Sequence, residues 1–275
     1  MVKASRESNL ASVVLTFDPH PGALLGRRPV STLSTIEERA DLIAQTGADE
    51  LVVLSFTPSV AGTTAADFVA TLQQELGMRE LWVGPDFALG HRREGGVEFL
   101  DALGQKTGFV VRIIEPLRWK GKVVSSTRIR SELTVGRVQE AADLLGRPYR
   151  LFGTVVSGQH LGRGLGIPTA NLEPPPERLI PANGVYACKA HTQLIQDWSA
   201  VVNIGTRPTV ADDRLTVEAH LLGFEGDLYG QELGLDFVAR LRDEKAFGSL
   251  AELVDQIHND IAQAEQVLAG HPRPE

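Results

Sequence analysis

Gly162-Arg163-Gly164-Leu165-Gly166-Ile167-Pro168-Thr169-Ala170-Asn171 says more about the chemistry the chain can carry than any other run in it. Alternating glycines lead into a proline, and a hydroxyl and a carboxamide follow two residues apart. Glycine lets the backbone approach a bulky anion and reach positive φ at little steric cost. Backbone N–H groups in such loops cradle phosphate oxygens. Side chains alternate faces along a strand, so Thr169 and Asn171 point the same way if the run continues extended. A hydroxyl and an amide oxygen on one face suit Mg2+, which takes oxygen ligands and bridges to phosphates. The run alone also reads as a plain Gly/Pro turn entering a strand.

Beyond it the chain alternates short strands with turns. Strand-like segments at Phe152–Val156, Val185–Ala190, Ala200–Ile204, Thr216–Leu222 and Leu233–Leu241 are separated by Gly, Pro and Asn clusters. This spacing predicts an antiparallel sandwich or barrel. In Thr216-Val217-Glu218-Ala219-His220-Leu221, alternation puts Thr216, Glu218 and His220 on one face and the apolar residues on the other. Phosphoryl transfer needs phosphate clamps, a metal and a group that orients the nucleophile. Glu218 is the carboxylate best placed for that last task, although a polar strand face is as readily a solvated one. Asn203 is a polar residue inside an apolar strand, either a structural amide or a ligand contact. A helix closes the chain. Ser249 and Glu252 have capping-box spacing, and Leu250, Leu253, Val254, Ile257 and Ile261 share one face.

The first half reads differently. Buried strands at Val13–Phe17, Leu51–Leu54, Leu81–Val83 and Val110–Ile114 alternate with helices at Thr35–Thr46, Ala65–Leu76 and Val97–Thr107. That order predicts a parallel sheet flanked by helices. Ser34 and Glu37 have the spacing of a capping box. Ligands of such sheets bind beyond the carboxyl ends of the strands, where Asp18, His20 and Asp86 fall. Ser125-Ser126-Thr127-Arg128 opens a further helix and reads equally as an anion site or as a cap with solvated arginines. The pattern changes at Gly146-Arg147-Pro148, so a domain boundary is expected between Leu145 and Leu151.

Composition narrows the classes. The chain has 275 residues, 43% hydrophobic and 23% charged, with a formal net charge of -8. An acidic balance argues against bulk attraction to nucleic acid or an anionic membrane. Cys188 is the single cysteine, which excludes an intrachain disulfide and fits a reducing, cytoplasmic setting. No apolar run approaches membrane-spanning length, and Met1–Asn9 lacks the apolar core of a secretory signal. There is no P-loop, no Gly-x-Ser-x-Gly elbow and no histidine set with metal-ligand spacing.

Taken together these residues resemble the prokaryotic bifunctional riboflavin kinase/FAD synthetase family over nearly the whole chain. The second-half motifs are Gly162-Arg163, Gly166–Asn171, Pro181-Ala182-Asn183-Gly184-Val185-Tyr186, Asn203–Thr209, Glu218-Ala219-His220, Asp227-Leu228-Tyr229-Gly230 and Leu241-Arg242-Asp243-Glu244. Ile167 stands where the family usually has phenylalanine. The first-half motifs are Leu15–Pro21, Val83–Phe87 with Gly90, and Val124–Arg130.

The resemblance implies a Rossmann-like nucleotidyltransferase domain over 1–146 and a six-stranded antiparallel riboflavin kinase barrel with a C-terminal helix over 150–275. It implies transfer of the ATP γ-phosphoryl group to riboflavin to give FMN. Carried over, Thr169 and Asn171 hold Mg2+ and ATP phosphates, and Gly162, Gly164 and Gly166 form a flap over the nucleotide. Glu218 is the base, while Asn203 and Arg242, the latter with the closing helix, serve the flavin side. Asp18, His20, Asp86, Ser126, Thr127 and Arg128 belong to FMN adenylyl transfer, which yields FAD. The family opens with a strand and a His-x-Gly-His-type loop, whereas only Met1–Ala11 precedes the Val13 strand. The expectation is therefore a domain truncated at its first strand, with FAD synthesis impaired. The alternatives are a fully bifunctional enzyme with a mis-assigned N-terminus and a flavin- or nucleotide-binding module without catalysis. The partners expected are small molecules, and the oligomeric state is left open.

Overall fold

The computed structural model describes residues 1–26, 31–158, 166–208 and 213–270. Gly162 and Gly164 lie outside these residues. Two compact units form, one from the residues up to Val124 and one from Ser125 onward together with Ser31–Leu33.

In the first unit the elements run α1 (Val2–Glu7), β1 (Val13–Asp18), α2 (Pro21–Leu25), α3 (Ile36–Ala44), β2 (Glu50–Ser55), α4 (Pro58–Gly62), α5 (Ala65–Leu76), β3 (Glu80–Val83), β4 (Ala88–Leu89), β5 (Gly95–Gly96), α6 (Val97–Thr107), β6 (Val110–Ile113), β7 (Arg118–Trp119) and β8 (Lys122–Val123). Thr35, not Ser34, caps α3: its hydroxyl accepts from Glu38 N at 3.2 Å, and Glu38 accepts from Thr35 N at 2.7 Å. Both Ser34/Glu37 and Thr35/Glu38 fit the spacing, and the helix start at Ile36 selects the second. The α5 helix is capped by Thr64 and ends on Gly77 at φ 61, a left-handed position that favours glycine. Val69, Leu100 and Phe109 form its core contact with α6 and the sheet.

The parallel strands come as two pairs rather than one continuous sheet. β1 pairs with β2, from Val13↔Glu50 to Asp18↔Ser55, and β3 pairs with β6. Among the described residues β1 and β3 have no other strand partner. Val13, Leu15, Phe17, Leu81 and Val83 line a cavity of about 490 Å³.

The second unit runs α7 (Ser126–Thr134), α8 (Val138–Leu145), β9 (Tyr149–Val156), β10 (Ala170–Glu173), β11 (Gly184–His191), β12 (Trp198–Pro208), β13 (Asp213–Leu221), β14 (Glu232–Arg242) and α9 (Leu250–Ala269). The six strands close into an antiparallel barrel in the order β10-β13-β12-β11-β14-β9. Closure leaves no exposed sheet edge. Tyr186 and Phe237 meet edge-on at 5.2 Å in the core. The α7–α8 pair joins the barrel's unit, so the compact division falls at Ser125 rather than after Leu145. Leu133, Val138, Ala141 and Leu144 are buried, and Ala182 N donates to Leu133 O at 3.0 Å.

The closing helix α9 packs on β11, β12 and β14, where Ala264 and Leu268 join Val185, Ala187, Val201 and Val238. Its packed stripe lies further along the helix than the sequence pattern predicts, and Leu250 is 61% exposed. Its capping box is half formed. Ser249 accepts from Glu252 N at 3.2 Å, but the Glu252 carboxylate takes Gly248 N at 3.0 Å instead of Ser249 N.

Candidate active site

The barrel register gathers the kinase candidates. Asn171 of β10 lies opposite Glu218 of β13, and Glu218 opposite Asn203 of β12. The row continues to Val185 of β11 and Arg242 of β14. Directly opposed residues of antiparallel strands share a face, with Cβ atoms about 4.5–5.5 Å apart. Asn171, Glu218 and Asn203 therefore stand side by side on three adjacent strands. Their face is the one opposite Val217, Ala219 and Leu221, all buried, as the alternation in 216–221 requires.

Thr169 enters β10 with its hydroxyl 3.5 Å from Glu218 Oε2, the outer limit of a hydrogen bond. His220, on the face of Glu218, has Nδ1 2.7 Å from Pro168 O. A carbonyl only accepts, so this nitrogen carries a proton, and the contact ties the entrance of β10 to β13. Gly166 has φ 73. The Asn171 carboxamide lies against Gly158, leaving no room for a Cβ there. Beside Thr169 opens a cleft of about 440 Å³, with Val155, Leu221, Phe224 and Tyr229 among its walls.

On the other flank of Glu218 the structure brings in two residues that sequence reasoning did not single out. Asn183 Nδ2 donates to Thr206 Oγ1 at 2.8 Å and to Glu244 Oε2 at 3.1 Å. Glu244 Oε1 would stand 2.2 Å from a Cβ at Gly205, and Asn203 Nδ2 3.4 Å from it. Glu244 thus completes a polar patch next to Asn203. Both residues lie within family motifs, but no local spacing connects them.

Arg242 does not present a free guanidinium. Its Nε and Nη2 donate to Asp260 of α9, and its Nη1 donates to Asp243 O at 2.9 Å.

The adenylyltransferase-like residues divide between the two units. In the first, Asp18 ends β1 in an exposed position, and its carbonyl accepts from Phe56 N at 3.1 Å. His20 caps α2, with Nδ1 accepting from Gly22 N at 3.0 Å. Asp86 accepts at its carbonyl from Arg93 Nη2 at 2.9 Å. Arg92 and Arg93 follow with φ of 54 and 61. In the second unit Ser126, Thr127 and Arg128 open α7, capped by Ser125, whose hydroxyl accepts from Arg128 N at 3.3 Å.

Among the described residues no group of three or more His, Cys, Asp and Glu could hold a metal ion. A metal at this site would rest on neutral oxygens, those of Thr169 and Asn171, and on a bound anion. That donor set suits Mg2+, which keeps waters and phosphate oxygens as its remaining ligands. No helix among the described residues is long and apolar enough to cross a membrane.

Residues 145–268 match the riboflavin kinase family and residues 1–128 the FAD synthetase family. The chain is 37% identical over 265 residues to the bifunctional riboflavin kinase/FMN adenylyltransferase of Pseudomonas fluorescens, covering 96% of this chain and 85% of that protein. It is 35% identical over 263 residues to the protein of the same name from Escherichia coli K12, covering 95% and 84%. A solved structure named as a macrolide-efflux protein from Streptococcus pneumoniae matches with a TM-score of 0.87 at 31% identity, over 96% of this chain and 86% of that one. The efflux name describes that protein alone. With both halves matched and relatives followed over most of their length, the chain belongs to the bifunctional riboflavin kinase/FMN adenylyltransferase family.

Proposed function

We propose that the barrel unit is a riboflavin kinase, moving the γ-phosphoryl group of ATP onto the 5′-hydroxyl of riboflavin to give FMN and ADP. The observation that carries this reading is the cross-strand row Asn171–Glu218–Asn203 with the Thr169 hydroxyl at the Glu218 carboxylate. Glu218 has a phosphate-type neighbour on one strand and a polar patch on the other. The nucleotide belongs on the Thr169 side, in the cleft beside it, and the alcohol on the Asn203 side.

In the step itself the Glu218 carboxylate takes the proton of the ribityl hydroxyl as that oxygen bonds to the γ-phosphorus. The bond from the γ-phosphorus to the bridging oxygen breaks, and ADP leaves with the electron pair. Mg2+, when bound, would offset the negative charge of the phosphates. Thr169 and Asn171 would hold the ion. Asn203 orients the alcohol.

The same reading gives the chain FMN adenylyltransferase as its second activity, making FAD from FMN and ATP. Residues 1–146 are its adenylyltransferase half and residues 150–275 its kinase half. Asp18, His20, Asp86, Ser126, Thr127 and Arg128 are the candidates for adenylyl transfer. The expected impairment of FAD synthesis has no support from the described residues or from the names of the relatives, so the bifunctional reading is preferred. The lone, fully buried Cys188 favours a reducing, cytoplasmic setting.

The test is incubation of the full chain with riboflavin, ATP and Mg2+, with chromatographic separation of FMN and FAD. Folded protein that binds flavin but forms no FMN would leave a binding module instead of a kinase. Glu218→Ala is expected to lower kcat by about 10²–10⁴-fold, the usual share of an acid–base group, with flavin binding retained. Unchanged turnover removes Glu218 from the role of base.

A further inference from the structure

The segment between β14 and α9 is held at two points. At its start, Arg242 Nε donates to Asp260 Oδ1 at 2.9 Å and Oδ2 at 3.1 Å, and its Nη2 donates to Oδ2 at 2.8 Å. Asp260 is 2% exposed, and Gln256 Nε2 donates to its Oδ1 at 2.9 Å. The Phe247 ring lies over the guanidinium at 5.7 Å. Two residues past Arg242, Glu244 is held by Asn183 and sits against Gly205, beside Asn203.

Burying this ion pair adds little to stability. Desolvation of two charges consumes most of the Coulomb gain, and apolar residues of similar size often stabilise as well or better. The neighbouring α9 positions that pack on the barrel, Ile261, Ala264 and Leu268, are apolar. What a carboxylate at 260 adds is direction. A bidentate guanidinium–carboxylate pair fixes the plane of Arg242, and with it the exit path of the chain toward Glu244.

We propose that Asp260 is a positioning residue of the kinase: it aims Arg242 and so holds the 243–247 segment with Glu244 on the alcohol side of Glu218. This deepens the kinase reading and rests on it. Asp260 serves the flavin alcohol and not the nucleotide, because the segment it controls meets Gly205, two residues along β12 from Asn203, whereas Thr169 and Asn171 lie on the opposite flank.

The experiment measures KM for riboflavin and for ATP separately in the full chain, for wild type, Asp260→Asn, Glu244→Gln and the double variant, with melting curves for each. Asp260→Asn is expected to raise KM for riboflavin by about 10- to 100-fold, the scale of an ångström-sized misplacement, with KM for ATP nearly unchanged. Glu244→Gln is expected to show the same split, and the double variant to be little worse than either single one. Both KM values moving together, neither moving, or additive effects would overturn the assignment. If Asp260→Asn fails to fold, Arg242→Lys decides, since it keeps the charge but loses the bidentate plane; the riboflavin-only shift supports the proposal and its absence ends it. A wild-type chain that makes no FMN defeats the kinase reading itself, while an active wild type with an unsplit variant defeats the positioning role alone.

Discussion

Gly158→Ala tests the placement of Asn171 without removing any polar atom of the site. An ideal Cβ at residue 158 would stand 2.1 Å from Asn171 Nδ2, 2.5 Å from its Cγ and 2.8 Å from its Oδ1. Contacts shorter than 3.4 Å are already tight, so the carboxamide must retreat by ~1 Å or rotate away, and displacement on that scale costs about 10²-fold in rate at a pre-organised site. The three nearest atoms that the methyl meets all belong to the Asn171 side chain. The fold therefore absorbs the change by a rotamer shift, and the melting temperature is expected to stay near that of wild type. The assay is initial-rate FMN formation at varied ATP, with Asn171→Ala alongside. If Asn171 holds the metal and phosphates, the two variants lose kcat/KM for ATP to a similar degree. A Gly158→Ala enzyme that keeps wild-type kcat/KM would show that the carboxamide is not needed where the structure places it.

Two further perturbations address stability. Burial works to raise the Asp236 carboxyl pKa, but the hydrogen bonds and charges of Arg150 and His191 outweigh it and hold it below the usual carboxylate value. A lowered folded pKa gives stability that is present above the unfolded value of about 3.9 and lost as pH falls through the folded one. Asp236→Asn should cost about 3–5 kcal/mol at neutral pH, because it strands a half-buried Arg150, and should flatten the acid side of the melting profile. Acid limbs of equal steepness would refute this. Gly104→Ala places a Cβ 2.4 Å from the Phe109 carbonyl oxygen, a backbone atom that cannot swing aside. A loss of about 1–3 kcal/mol from overpacking should then lower the melting of the first unit while barrel kinase turnover stays unchanged, and a melting point at or above wild type would contradict it.

What was legible in the sequence was what lies within a single element. The two-residue period of 216–221 assigns Glu218 its face whatever strands flank it. The glycine and proline punctuation of the second half marks hairpin turns, and hairpins bring antiparallel neighbours together. The helices at Ala65–Leu76 and Val97–Thr107 end where their left-handed glycines, Gly77 and Gly108, permit. Register was not legible. Asn171 and Asn203 become the two neighbours of Glu218 only through pairing across the barrel, and β10 is a four-residue strand too short to carry its own periodic signal. The packing of α7 and α8 with the barrel unit was not legible for a related reason. Gly146-Arg147-Pro148 is a true helix end, with Gly146 at φ 72, but a helix end says nothing about which unit the helix packs on.

The least readable device is a bulge. Between β11 and β14 the pairing passes from Val185↔Arg242 to Tyr186↔Arg240, so one extra residue, Leu241, is inserted opposite β11. Bulges bend a strand and re-aim side chains, and they concentrate next to functional sites. Strict alternation would send Leu241 and Arg242 to opposite faces. With the bulge, Leu241 packs against the Val185–Leu268 cluster under α9, and Arg242 still reaches Asp260 on the same helix. One inserted residue therefore lets a single helix anchor the strand end by an apolar contact and orient it by a charged one. Nothing in Leu241-Arg242-Asp243-Glu244 announces this, because the insertion is defined only against the partner strand. The polar patch beside Glu218 thus depends on a pairing irregularity that local periodicity cannot encode.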